Sequence, residues 1–270
     1  MIEVRNVSFG YTSESNVLEN LNLHLTQGHI YGLLGLNGSG KTTLLKLLSG
    51  KLFASNGEVY VDNINTKDRN IQTLQNMFVM PSDFVFPKMS LEKYIALHSV
   101  FYPNFNKDVL NDCLSCFGID KNTKDLNKLS LGESHKTAVS IALSFGTKII
   151  LLDEATNGMD IPARKTFRKM LMKHTNENQI IILSTHVVKD IENLLTDIII
   201  LKQDKTIYTS SLEDISGKYS FGIQSSEHGA IYAEPCAEGY HVICPKQDNT
   251  DTEISLELLF NALIKGGHTL

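Results

Sequence analysis

A single glycine-rich stretch, Gly35-Leu-Asn-Gly-Ser-Gly40-Lys41-Thr42, constrains this chain more than any other. It fits G-x-x-x-x-G-K-[ST]. It follows Ile30-Tyr31-Gly32-Leu33-Leu34, an apolar run suited to a buried strand, and precedes residues to Leu48 whose apolar spacing is helical. Strand, glycine loop and helix in that order make a phosphate cradle. The glycines let successive N–H groups turn inward toward phosphate oxygens, and the helix N-terminus adds partial positive charge. The alternative, a chance glycine turn, would not need that flanking strand and helix. Asn37, Gly38, Ser39, Gly40, Lys41, Thr42 and Thr43 are the candidate nucleotide contacts. Lys41 is placed to meet the β and γ phosphates, and the Thr42 hydroxyl to hold Mg²⁺.

Downstream, Lys148-Ile-Ile-Leu-Leu-Asp153-Glu154 is an apolar run ending in paired carboxylates. On a strand, neighbouring side chains point to opposite faces, so Asp153 can bind Mg²⁺ while Glu154 faces the reaction and orients the attacking water. Alone, such a pair is usually a solvated turn; together with a phosphate loop it is far more specific. Gln179 to Leu183 is a second isoleucine-rich run, as expected of parallel strands buried on both faces. Alternation through Ile2, Val4 and Val7, and again through Leu21, Leu23 and Leu25, predicts strands before the loop, and residues 57–62 predict another. Residues 70–140 read as mainly helical, with Pro87, Pro103 and Gly118 as punctuation. From about residue 213 the pattern changes to hairpin-like pieces around 219–223, 230–234 and 239–244, then an amphipathic helix with Leu256, Leu259, Phe260, Leu263 and Ile264.

With 270 residues the chain holds one such core and an appendage, so one nucleotide site is the expectation. Hydrophobic residues at 42% and charged residues at 20% exclude disordered and collagen-like classes. A net charge of −5 supplies no strong positive field, and no nucleic-acid partner is expected. Charges at the start and the lack of a long apolar run argue against a secretory signal or a membrane span. Cys113-x-x-Cys116 has no second CxxC to complete a metal set, so buried apolar roles are the default.

Over roughly residues 1 to 215 the chain resembles the ATP-binding subunits of ABC transporters. Leu129-Ser130-Leu131-Gly132-Glu133 is similar to the family signature LSGGQ, placed as usual between the phosphate loop and the Asp-Glu pair. The resemblance implies an α/β fold: a P-loop NTPase core with a mixed sheet, an N-terminal antiparallel β part and an inserted helical subdomain at about 83–140. These make an ATPase domain over 1–212, with 213–270 as a small α+β extension. It also implies that Ser130, Gly132 and Glu133 meet the nucleotide of an opposing subunit; as a plain sequence, Ser130 and Glu133 read as a helix capping box. Tyr11 resembles the aromatic that stacks on adenine, Asp160 the dimer-facing acid, and His186 in Ser184-Thr-His186 the histidine that contacts the γ-phosphate. The other histidines default to surface or packing roles.

Two departures from the family pattern stand out. Leu131 and Glu133 replace the usual Gly and Gln of the signature. The Gln expected after the strand near Met77 to Met80 is missing, and Pro81 is followed by Ser82 and Asp83. Either Ser82 or Asp83 substitutes, or the link between metal and helical region differs. Aromatics crowd the segment where the family receives a helix of its membrane partner, and Phe84, Phe86 and Met89 are expected to line that dock. The implied protein is an ATPase using ATP and Mg²⁺, paired with a second copy or a homologous subunit. It is expected to lie in the cytoplasm, held at the inner face of the cell membrane by a separate permease, with the tail favouring export. A soluble ATPase acting on a partner such as the ribosome, or a non-hydrolysing ATP-binding module, are the alternatives.

Overall fold

The computed structural model describes residues 1–12, 15–246 and 252–265. Parts of the expected C-terminal extension, 247–251 and 266–270, therefore lie outside the described residues. The chain begins with strands β1 (Ile2–Phe9), β2 (Leu18–Leu25) and β3 (His29–Gly35), then helix α1 (Lys41–Leu48). Strands β4 (Asn56–Val61) and β5 (Ile64–Asn65), short helix α2 (Ile71–Gln75) and strand β6 (Met77–Met80) follow. Three helices come next: α3 (Leu91–His98), α4 (Lys107–Phe117) and α5 (Leu131–Ser144). The chain continues through β7 (Ile149–Asp153), α6 (Ile161–His174), β8 (Ile180–Ser184), β9 (Asp197–Leu201) and β10 (Ile207–Ser211). It closes with α7 (Leu212–Lys218), β11 (Tyr219–Gln224), β12 (Tyr232–Cys236), β13 (Gly239–Pro245) and α8 (Leu256–Lys265).

Six strands form the central sheet in the order β10-β9-β3-β8-β7-β6, parallel except for β10. Every residue of β7 and β8 is buried, which is why they read as unbroken apolar runs rather than alternating ones. A second, antiparallel sheet, β2-β1-β4-β5, alternates as the sequence predicts. Helix α1 lies between the two sheets. Its Leu44, Leu45, Leu47 and Leu48 share one cluster with Val4 and Leu21 on one side and Leu33 and Leu151 on the other. A helix buried on both flanks has little room to shift, so the loop at its N-terminus is held firmly.

The opposite face of the central sheet is covered by α4, α5 and α6, with Leu114, Val139 and Phe167 in one core with Ile150, Leu152 and Ile181. Ile215, Phe221, Ile243, Leu256 and Leu259 of the last elements join that same core. The three-stranded sheet β11-β13-β12 and α8 agree with the hairpins and helix expected after residue 213. Residues 70–140 are less uniformly helical than expected, since β6 and long connections interrupt them.

One expected dock residue is misplaced. Phe86 is 2% exposed, with its ring edge-on to Phe84 at 4.5 Å and to Tyr94 at 5.3 Å, and it cannot line an open groove. Aromatic spacing in this segment serves the core of the helical region. The adjacent Val85 is 74% exposed instead. Phe86→Ala should cost about 3–5 kcal/mol of stability in urea denaturation. Val85→Ala should change it by less than about 0.5 kcal/mol.

Candidate functional site

Parallel pairing brings the carboxyl ends of β3, β7 and β8 together, with Asp153 opposite Ser184 and Leu33 opposite Ser184 on the other side. The phosphate loop, the carboxylate pair and the segment Ser184 to His186 therefore meet at one edge of the sheet, where open α/β sheets bind ligands. Gly40, with φ +101°, makes the turn into α1, and a Cβ there would stand 2.8 Å from Leu18 Cδ2. Gly38 (φ +80°) faces open space, leaving room for a ligand to approach the backbone.

Asp153 is the hub of the site. It is 2% exposed, accepts a 2.6 Å hydrogen bond from the Thr42 hydroxyl on Oδ2, and accepts another from the Ser184 hydroxyl on Oδ1. Lys41 is equally enclosed. Its ammonium donates to the Gly35 carbonyl at 2.8 Å and the Leu36 carbonyl at 3.1 Å, spanning the loop like a strut. Burial lowers its pKa, and the charges of Glu154 and Asp153 oppose that shift. Ser39 Oγ is buried with no hydrogen-bond partner among the described residues, a polar atom at the floor of the loop open to a ligand. Orphaned hydroxyl, open glycine and buried lysine together fit a polyphosphate, and the Thr42 and Asp153 oxygens are hard donors of the type Mg²⁺ takes.

Glu154 sits just beyond, at φ +51°, a conformation that side-chain-bearing residues seldom adopt. Its N–H donates to the Ser184 carbonyl at 3.0 Å, and Asn157 Nδ2 donates to its Oε2. His186 Nδ1 stands 3.4 Å from Glu154 Oε1, and the His186 ring is exposed. Tyr11 is 60% exposed; its hydroxyl bonds Thr43 Oγ1 at 3.1 Å and its ring meets Phe9 edge-on at 5.1 Å, leaving a free face. Asn37 is exposed on the loop, beside a cavity of about 660 Å³ that runs past His186 to Phe260 of α8.

The remaining candidates form a separate group. Ser130 caps α5: the Glu133 N–H donates to its Oγ at 3.3 Å, and Glu133 Oε2 accepts from the Ser130 N–H at 2.9 Å. The capping-box reading is therefore realised, and the Ser130 hydrogen bonds hold the Glu133 carboxyl below the usual range. Gly132 presses on the loop after Glu154; a Cβ would be 2.4 Å from the Gly158 carbonyl oxygen. Asp160 caps α6, accepting from the Ala163 N–H at 2.9 Å. Among the described residues no hydrogen bond joins Ser130, Gly132, Glu133 or Asp160 to the phosphate loop. At the missing-Gln position, Asp83 is exposed in the field of Lys51.

Comparison with known proteins follows the same lines. A family model described as "ABC transporter" matches residues 18–157. The chain belongs to the ABC transporter family. It is similar to the ABC transporter ATP-binding protein YtrB of Bacillus subtilis (strain 168), 28% identical, covering 96% of this chain and 91% of the relative. It is 26% identical to the bacitracin transport ATP-binding protein BcrA of Bacillus licheniformis, over 77% of this chain and 68% of that one. The dimeric structure of the bacterial ABC transporter cassette MJ0796 shares its fold, with a TM-score of 0.67 at 24% identity over 78% of this chain and 99% of the cassette. The chain is thus an ATP-binding subunit of an ABC transporter and an ATPase.

Sequence reasoning left Ser184 without a role and passed over Asn157. Both are polar residues beside a recognised motif, and only register and hydrogen bonding tie them to Asp153 and Glu154. Gly132→Ala should force the start of α5 off the Gly158 loop and lower ATP turnover by about tenfold to 100-fold. Melting and turnover measured together check this: a folded variant with normal turnover contradicts it.

Proposed function

We propose that this ABC subunit dimerises around two ATP molecules, hydrolyses them, and drives a separate membrane permease, with export as the direction. The observation that carries this reading is the division of labour at the site. The cradle of Gly38 to Thr43 with Asp153, Glu154 and His186 is assembled within the chain, whereas Ser130, Gly132, Glu133 and Asp160 are gathered elsewhere. In the proposed arrangement, Tyr11 stacks on adenine, Asn37 to Thr43 hold the phosphates, and the Ser130 end of α5 from a second copy or a homologous subunit covers the γ-phosphate. Thr42 and Asp153 hold Mg²⁺, which supplies neutralisation of developing phosphate charge. Glu154 accepts a proton from, or orients, the attacking water, and His186 donates a hydrogen bond to the γ-phosphate. Loss of the γ-phosphate removes the bridge between the halves, and the permease senses their separation.

Residues 1–212 are the proposed ATPase domain and 213–270 an extension, whose α8 supports the export reading. Among the described residues no helix is long and apolar enough to cross a membrane. The chain would then work in the cytoplasm at the inner membrane face. With Phe86 removed from the dock, the exposed apolar residues of the same region are Val85, Leu97, Val100 and Phe101, at 74%, 50%, 72% and 61% exposure. Exposed apolar side chains of this kind are suited to anchoring a partner helix with an apolar face.

Phosphate release by purified wild type, lost by about 100-fold or more in Lys41→Ala and Glu154→Gln, is the expected outcome. Binding of ATP without release by wild type would reduce the chain to a binding module. The double variant Val100→Ser, Phe101→Ser should leave phosphate release by the isolated chain unchanged. It should lower the fraction sedimenting with membranes of its own cells by about tenfold, the scale of one or two lost interface anchors.

A further inference from the structure

Helix α5 carries a group that the proposed reaction does not use. His135 is 1% exposed, and neither Nδ1 nor Nε2 makes a hydrogen bond of good geometry among the described residues. An imidazole always carries at least one N–H, and a buried donor left unpaired is disfavoured enough that native proteins seldom keep one without a reason. The Ala155 backbone is near enough to act as a weak, poorly aligned acceptor for the ring, which also lies in the field of Glu154. Burial holds its pKa below the ordinary histidine value, so the ring is neutral and presents one donor and one acceptor nitrogen.

Ala155 belongs to the turn that carries Glu154. That turn is unusual: Glu154 has a positive φ, and the Asn157 N–H donates to its carbonyl at 3.0 Å. Such a backbone persists only where its surroundings hold it. On the β8 side, the Ser184 carbonyl accepts from the Glu154 N–H. On the α5 side stand His135 and, further toward the helix start, the close approach of Gly132 to Gly158.

We propose that His135 is a positioning residue for ATP hydrolysis: when nucleotide draws the 154–159 loop into its working position, the imidazole N–H donates to the Ala155 carbonyl and holds the Glu154 carboxylate in register. The loose contact with Ala155 then tightens in the state that reacts. Because α5 begins at Ser130, which serves the other copy's nucleotide in the function proposed above, on which this inference rests, the same contact links the two ATP sites within one chain.

Two variants test it: His135→Gln keeps an amide donor, and His135→Leu fills the space without one. The expected result is a fall in kcat of about tenfold or more for His135→Leu with KM for ATP unchanged, and a His135→Gln variant within about threefold of wild type. A His135→Leu variant with wild-type kcat, or equal losses in both variants, would overturn the proposal, the latter because packing alone would explain it. Should His135→Leu fail to fold, ¹⁵N-histidine NMR of the wild type decides. A non-hydrolysable ATP analogue with Mg²⁺ should protect one His135 ring N–H from solvent exchange, and unchanged exchange would overturn the proposal. A wild-type chain that binds ATP but releases no phosphate would sink the proposed function, while the NMR arm would still judge the His135 contact by itself.

Discussion

The site depends on one buried carboxylate. Asp153 receives hydroxyl hydrogen bonds from Thr42, at the start of α1, and from Ser184, at the end of β8. Three segments distant in sequence are thereby tied at a single residue, and each of the other groups is placed relative to that knot. Lys41 precedes Thr42, Glu154 follows Asp153, and His186 follows Ser184. A buried acid with two donors and a lysine in its field is a stable arrangement; removing one partner would leave charge without compensation.

Rigidity around the knot comes from packing. Helix α1 is clamped between two sheets, and β7 and β8 have apolar neighbours on both faces. Outside that clamp lie the start of α5 and the loop from Glu154 to Asp160. These touch through glycines, where a side chain would not fit, so the start of α5 and the loop bearing Glu154 cannot move independently.

Much of this was legible in the sequence, because glycine loops, continuous isoleucine-rich runs and paired acids each have one dominant physical reason to occur. Gly35 to Thr42, Asp153 and Glu154 fell where their spacing predicted. The capping box at Ser130 and Glu133 was legible for the same reason. What was not legible depends on which way a side chain turns. Phe86 and Val85 are neighbours of similar hydrophobicity, and only the fold decides that Phe86 is buried and Val85 exposed. Asp197 to Leu201 escaped notice as a strand, although it is as apolar as β7. His135 looked like any other helical histidine, since nothing in its sequence neighbours signals that its buried ring faces the Ala155 backbone. The absence of a Gln after β6 was visible from the start, and Asp83, exposed near Lys51, gives it a charged occupant without a hydrogen-bonded role.

The central claim is that ATP joins two copies by completing each other's half-sites. Its most direct test is size-exclusion chromatography with light scattering on Glu154→Gln, with and without ATP and Mg²⁺. The account predicts a monomer that becomes a dimer only with nucleotide, and a wild-type dimer that dissolves as ATP is consumed. A Glu154→Gln chain that binds ATP yet stays monomeric at every nucleotide concentration would contradict it.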